Sequence, residues 1–428
     1  MIEVRSVTIG DLGRVVTGKT PPSAQPELFG KAYPFLTPTD IDGHRRYIEP
    51  ERFLSQEGHN YQYRLLLPPH AVCVVCIGAT IGKMCLTNRP SFTNQQINSV
   101  VVSERHDPLF VYYLFGTLRD SLKANAGGAA TPIINKTTFS GMEVKIPPLP
   151  IQRRIAGILS AYDELMENCQ RRIRVLEEMA RGLYREWFVH FRFPGYEKVR
   201  RVDSASGPTP EGWQVKRLFD LAEVKYGKNL PTKFLSDDRA YPVYGAAKII
   251  GRHSEYTREQ RTIICGCRGS VGEMQITLPQ CFVTNNSFTF DPSHPDNFFW
   301  LFHNLRERGL RDVIGGAAQP QITLDGISSV ELLTPPLPLR SRFQRTVAPM
   351  FEQAWALDRK VQNLRRTSDL LLPRLLSGQV SLYVSAVEDV AEPTVPAPPP
   401  SQKDFANEEP ALRAAEETPP FRSSKRIS

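Results

Sequence analysis

A chain of 428 residues with a 41% hydrophobic content is long enough for two or three cores and ordinary in composition for a globular protein. No apolar run approaches the roughly 18 residues of a membrane span, and "MIEVRSVTIGDLG" lacks the basic start and apolar stretch of a secretory signal, so a cytoplasmic location without a membrane partner is expected. The formal charge of +8 points towards a polyanion, nucleic acid before membrane.

Residues 1–150 contain short apolar runs such as "AVCVVCIG" (71–78), separated by Gly, Pro and Asn. With "PLFVYYLFGTLRDSLKAN" (108–125) as a short helical stretch, they predict a first α+β module. The period changes over residues 151–192. Ile151, Ile155, Ile158, Tyr162, Leu165, Cys169, Ile173, Leu176, Ala180, Leu183 and Trp187 recur at threes and fours with one extra four, the seam of a coiled-coil helix with a single stutter. Residues 193–338 hold a Pro/Gly-rich link (194–210) and a second α+β module, with strand-like runs "RTIICG" (261–266) and "CFVTNNSFTF" (281–290).

Residues 339–384 predict a second long helix, with its seam at Leu339, Phe343, Val347, Met350, Ala354, Leu357, Val361, Leu364, Ser368, Leu371 and Leu375. Pro349 and Pro373 are expected to kink or split it, and Gly378 to stop it. Two helices with one apolar seam each most simply bury those seams against each other, and the short link makes the pairing antiparallel; the alternative packs each helix flat on its own module. Residues 385–428 are rich in Pro, Ala and Glu and are expected to be disordered. This tail carries 8 acidic and 5 basic residues, so the body before it holds a formal charge of +11 against +8 for the whole chain.

The chain also repeats itself. "GGAATP" (127–132) returns as "GGAAQP" (315–320), and the "PPLP" that ends at Pro150 returns ending at Pro338, both shifted by 188 residues. The same shift carries Arg154 onto Arg342, Leu176 onto Leu364 and Leu183 onto Leu371. Upstream it becomes 190, where "TIGKM" (80–84) meets "SVGEM" (270–274), and at the start 209, where Leu12, Val15, Gly18 and Lys19 meet Leu221, Val224, Gly227 and Lys228. Insertions therefore fall in the first part of each half.

Catalytic signatures fail one by one. "GATIGKM" (78–84) is two residues short of a phosphate loop and has Met84 where Ser or Thr would bind magnesium. Cys73 and Cys76 form a CxxC without a second pair at metal-binding spacing, and the cysteines lie in apolar runs that suit reduced core thiols. "TPPF" (418–421) has Thr in place of the Asn of an amino-methyltransferase loop. The eight His form no triad legible in the sequence.

The order of variable α+β module, "IPPLPIQRRIAGILSAYDELMENCQRRIRVLEEMARGLYREWFV" (146–189), second module opening "TPEGWQVKRLFDLAEVKYGKNLP" (209–231), "PPLP" and another long helix resembles the specificity (S) subunit of Type I restriction-modification systems. "GWQVKRLFDLAEV", "CRGSVGEM" and "GGAAQPQIT" are similar to the strings that recur along target recognition domains of that family. The likeness extends to about residue 384. The chain departs from the family pattern at the helix starts, with Ile151 and Gln152, then Leu339 and Arg340, where an acidic residue and Gln are commoner; this bears on how the helices are capped.

The resemblance implies a non-catalytic subunit in which each recognition domain reads one half of a bipartite site in double-stranded DNA. The helices would set the spacer and dock two modification subunits and, through them, restriction subunits. S-adenosylmethionine, ATP and Mg2+ would belong to those partners, leaving this chain without cofactor or metal. A stand-alone DNA methyltransferase, which would need a cofactor-binding fold and an NPPF-like loop, and a coiled-coil scaffold without a DNA role are the alternatives. Phosphates draw Lys and Arg, guanine draws Arg or Lys, and adenine draws Asn or Gln. The DNA-binding candidates are then Lys19, Thr20, Arg45, Arg46, Lys83, Arg89, Asn94, Gln95, Thr131 and Lys136 in the first domain. In the second they are Lys228, Asn229, Lys233, Lys248, Arg252, Arg268, Ser270, Asn285, Asn286, Gln319 and Gln321.

Overall fold

The computed structural model describes residues 4–377 and 379, apart from 44, 128–131, 205–206 and 317–318. The expected helix stop at Gly378 and the tail 385–428 lie outside the described residues. The first module is built on a four-stranded antiparallel sheet in the spatial order Gly13–Thr17, Ile97–Val102, Val72–Val75, Met84–Leu86. Val72–Val75 is fully buried, which is why it reads as an unbroken apolar run and not as an alternation. Beside it, Phe29–Leu36 pairs with Phe53–Leu54 and, in parallel, with Phe92–Thr93. Arg5–Thr8 pairs with Glu143–Ile146 and brings the two ends of the module together.

The second module repeats this plan strand for strand. Its four-stranded sheet runs Ala222–Tyr226, Ser287–Pro292, Ile263–Gly266, Met274–Ile276, and Gln214–Arg217 with Glu331–Thr334 stands where the closing pair does in the first. The modules diverge in one place. Between Thr17 and Val72 the first module has 54 residues, whereas between Tyr226 and Ile263 the second has 36; the extra length includes the helix Gln56–Gln62.

The long helices run Leu149–Tyr184, followed by a π-helical turn Arg185–Val189, and Leu337–Leu376. At 1.5 Å per residue they are about 54 and 60 Å long. Each begins on a Pro N-cap, Pro148 and Pro336, with Pro at the second helical position, where a missing N–H costs nothing. They lie antiparallel: Cys169 packs with Leu357 and Val361, while Tyr184 and Trp187 at the end of the first meet Phe343 near the start of the second. Burying Phe343 alone contributes about 1.5–3 kcal/mol.

Two expectations about the helices change. The seam is not continuous, because Leu165 is 38% exposed; the first helix is deeply buried at its two ends and at Cys169. The second helix also runs unbroken through Pro349 and Pro373. Both prolines are exposed, so the carbonyls they leave unpaired face water, and Val347 and Phe351 anchor the chain on either side of Pro349.

Each module is mounted on the helices by one end of its sheet. In the first, the nearly buried Arg46 enters an acidic cluster of the first helix, 3.6 Å from Asp163, 3.9 Å from Glu164 and 3.8 Å from Glu167. Tyr113 donates its hydroxyl to Asp163 at 2.6 Å. Burial raises the Asp163 carboxyl above its ordinary value, against the pull of Tyr113 and Arg46. In the second, Arg261 lies 3.8 Å over the ring of Trp355, 188 positions after Glu167. The same mount is thus ionic in one half and cation–π in the other. Gln152 and Arg340, also 188 apart, tie down the helix starts. Gln152 donates to the Pro147 carbonyl and accepts from the Asp107 N–H, while Arg340 donates to Asn297.

His303 sits at the junction of the second module with both helices, 2% exposed and stacked on Tyr184 at 5.6 Å. Burial pushes its imidazole down to about 3. A His whose folded value lies below its unfolded one contributes stability above about pH 6.5 that drains away as pH falls towards the folded value. Between pH 7 and pH 5 the protein should therefore lose about 2 kcal/mol that a His303→Phe variant does not lose; denaturant unfolding at the two pH values measures the difference. Arg46→Ala should cost about 2–3 kcal/mol, less than the loss of a fully buried pair because two of its acidic partners are partly solvated. An unchanged midpoint of thermal unfolding would show that Arg46 does not hold the first module in place.

Candidate nucleic-acid interface

The opposite end of each sheet, away from the helices, gathers four loops. In the first module they are Gly18–Thr20 after the first strand of the sheet, Asn94–Gln96 before Ile97–Val102, Cys76–Gly82 between the remaining two strands, and the segment whose ends meet in the Gly127–Ile133 bridge. Backbone hydrogen bonds lock them together: Gly18 N–H to Ile97 O at 3.2 Å, Cys76 N–H to Gln96 O at 2.8 Å, and Ile134 N–H to Cys76 O at 2.8 Å. The second module makes the corresponding three bonds, Gly227 to Ser287 at 3.0 Å, Cys267 to Asn286 at 2.9 Å and Ile322 to Cys267 at 3.0 Å. Its fourth loop is closed by the pair Gly315 and Gln321. The repeated hexapeptides begin at Gly127 and Gly315, the first members of these two closing pairs.

Gly18 and Gly227 are required by close approach. A Cβ on Gly18 would lie 2.2 Å from the Thr93 carbonyl oxygen, and one on Gly227 2.3 Å from that of Thr284. The lysine after each glycine is thereby held, exposed, beside the Asn-containing loop: Lys19 N–H donates to Thr93 O at 3.0 Å and Lys228 N–H to Val283 O at 2.9 Å. Thr20 donates to the Gln95 side chain at 2.7 Å, and Arg268 to that of Gln321 at 3.3 Å. Each sheet end therefore offers cations and amides, a surface suited to phosphates and base edges; in the second module Lys248 is held 3.5 Å from the Glu273 carboxylate.

The structure sorts the candidate residues. Lys19, Thr20, Lys83 and Gln95 converge on this end of the first module. Lys228, Asn229, Arg268, Ser270, Asn285, Asn286, Gln319 and Gln321 converge on that of the second, with Lys248 at the tip of a neighbouring hairpin. Lys136 is exposed at the start of the short helix Lys136–Gly141, and Lys233 in the turn Thr232–Phe234. Thr131 lies outside the described residues.

Five candidates are engaged elsewhere in the fold. Arg46 is consumed by the helix mount. Arg45 pairs with Asp42 and Arg89 with Glu49. Arg252 donates to the backbone carbonyls of Arg239 and Ala240. Asn94 is 8% exposed and turned inward, its side chain accepting from Gln96 N–H and donating to the Gln96 side chain; Gln95 is the exposed member of that loop.

Two residues join the first module's loops without having been expected. Arg119 is exposed and its Cγ lies 2.9 Å from where a Gly82 Cβ would stand, and Tyr61, 45% exposed, has the Lys19 ammonium 5.3 Å from its ring centre. Both arrive from helices distant in sequence, so only a charged or aromatic residue on a solvated helix face could have flagged them.

The family model described as Type I restriction modification DNA specificity domain matches residues 1–178 and 210–353. The Type I restriction enzyme MjaIX specificity subunit of Methanocaldococcus jannaschii is 26% identical over 399 residues, 87% of this chain and 92% of that protein. The Type I restriction enzyme HindI specificity subunit of Haemophilus influenzae is 32% identical over 176 residues, 40% of this chain and 38% of its own length. Among solved structures, the S subunit of a Type-I restriction-modification system from M. genitalium shares the fold, with a TM-score of 0.57 at 17% identity over 87% of this chain and 96% of that one. The repeated module with its four-loop end is thus a repeated family domain, and the chain belongs to the Type I restriction modification DNA specificity domain family.

Proposed function

We propose that this chain is the DNA sequence-recognition subunit of a Type I restriction-modification complex, each module reading one half of a bipartite target in double-stranded DNA. The observation that carries this reading is the duplicated loop end: the same four loops, locked by the same backbone bonds, occur on two modules whose other ends are fixed to antiparallel helices. The base readers are the polar residues of those loops. Gln95 and Thr20 serve the first half-site, with Lys19, Lys83 and Arg119 on phosphates or guanine; Asn285, Asn286, Gln319, Gln321 and Arg268 serve the second, with Lys228 on phosphate.

The helices hold the modules apart and offer their exposed faces, including Val175 and Met179 on the first, to two modification subunits, which in turn recruit restriction subunits. Methyl transfer from S-adenosylmethionine and ATP- and Mg2+-dependent steps belong to those partners, and this chain contributes no catalytic group. The complex acts in the cytoplasm. No helix among the described residues is long and apolar enough to cross a membrane.

Replacing residues 1–150 by the corresponding module of a relative, followed by mapping of methylated sites in a host carrying the whole system, tests the division of labour. One half-site changes and the other stays; simultaneous change of both would defeat the two-module reading.

Spacer length follows from the helix pair. Because Cys169 faces Leu357 and Val361, seven residues inserted after Arg171 and seven after Ala356 extend both helices together and preserve the seam. The pair lengthens by about 10 Å, equivalent to about three base pairs at roughly 3.4 Å each. Methylation by the extended protein should move to sites with both half-sites intact and a spacer about three base pairs longer, and activity at the original spacing would show that something else sets the distance.

A further inference from the structure

The hairpin Tyr241–Gly245 and Lys248–His253 lies in the stretch where the two modules diverge. Its second strand forms the edge of a three-stranded sheet and begins Lys248, Ile249, Ile250, all exposed; the two isoleucines are 51% and 45% exposed. Neighbouring residues of a regular strand point to opposite faces. Here the register shifts, with Ile249 opposite Tyr244 and Gly251 opposite Val243, so that Ile250 is the extra residue of a bulge. Bulges re-aim side chains beside functional sites. Two adjacent β-branched apolar residues on a sheet edge are otherwise an invitation to aggregation that proteins avoid.

The tip is held in a strained form. Ala246 and Ala247 have φ of 50° and 63°, a region that alanine enters only when its surroundings impose it. The surroundings are the four-loop end itself: Ala247 N–H donates to the Ser287 hydroxyl at 3.1 Å, and a Gly269 Cβ would stand 3.3 Å from the Ala246 Cβ. The isoleucines are thus carried on a tip fixed beside Gly269, the residue after Arg268, with Ile250 lying over Gly245 of the partner strand and Lys248 in front of them, 3.5 Å from Glu273. Cations beside a protruding apolar ribbon match a duplex whose groove walls are phosphates and whose floor carries methyl groups. A two-stranded ribbon fits the major groove, and the thymine C5-methyl is its apolar landmark.

We propose that Ile249 and Ile250 read thymine through its C5-methyl group in the half-site of the second module. This rests on the DNA-reading function above and assigns it a chemical target. The corresponding pair of the first module, Phe29–Leu36 with Phe53–Leu54, carries no two adjacent exposed apolar residues on its second strand, where Phe53 is half-buried and Leu54 fully buried, so methyl reading is confined to one half-site.

The test uses the chain assembled with its modification subunits and synthetic duplexes of the methylation target, with deoxyuridine replacing thymine so that base pairing is kept and only the methyl is lost. Each contacted thymine in the second half-site should cost about 4-fold in affinity, the value of one buried methyl group, and replacements in the first half-site or spacer should cost nothing. An Ile249→Ser, Ile250→Ser variant should bind thymine and uracil duplexes alike while still requiring the first half-site. Equal binding of the two duplexes by the unaltered complex, or a second half-site without a T·A pair, would overturn the proposal. So would a variant that keeps its thymine preference but no longer assembles with its partners, which would make the ribbon a protein-docking edge. Failure of the unaltered complex to prefer its target over random DNA would instead remove the DNA-reading function itself.

Discussion

Neither long helix can hide its apolar positions alone, and the rest of the architecture depends on how that is resolved. With Cys169 against Leu357 and Val361, and Tyr184, Trp187 and Phe188 around Phe343, each helix covers the other only when they run in opposite directions. Antiparallel pairing in turn sends the two modules to opposite ends, because each module is continuous with the start of its own helix through "PPLP". The distance between the two reading ends is therefore a property of two side-chain rows and not of any flexible link.

The mounts show how one geometry accepts different chemistry. At matching positions the first half uses Arg46 among Asp163, Glu164 and Glu167, and the second uses Arg261 over Trp355. Both place an arginine from the sheet end against the helix, and both spend a cation that would otherwise be available to a polyanion. The ionic version carries the cost of desolvating charges, visible in the raised Asp163 carboxyl; the aromatic version avoids that cost by offering a ring face in place of carboxylates.

Much of this was legible in the sequence. The 188-residue repeat, the two α+β modules and the paired helices follow from self-similarity and periodicity, which report on backbone and burial. What escaped depends on tertiary context. Leu165 keeps the heptad spacing but stays 38% exposed. Pro349 does not break its helix because packing on both sides outweighs one lost hydrogen bond. Arg46 and Arg45 are adjacent in the chain, and nothing local says that one is buried on a helix while the other is exposed. Asn94 and Gln95 likewise exchange roles through a turn that only the fold reveals. The exposed Ile249 and Ile250 carry no flag in the sequence, since the bulge that turns them outward depends on the register with Val243 and Tyr244.

The bonds that lock the four loops of each module run from backbone N–H to backbone carbonyl. Their geometry is indifferent to side-chain identity except at close approaches such as Gly18 and Gly227. Exposed positions between them, such as Gln95, Asn286 and Gln319, can then be exchanged with little effect on stability, as is usual for surface sites. With base reading assigned to these positions as proposed above, the fold separates heritable variation in what is recognised from the requirement to stay folded, and a lineage carrying this chain can drift between target sequences without passing through an unfolded intermediate.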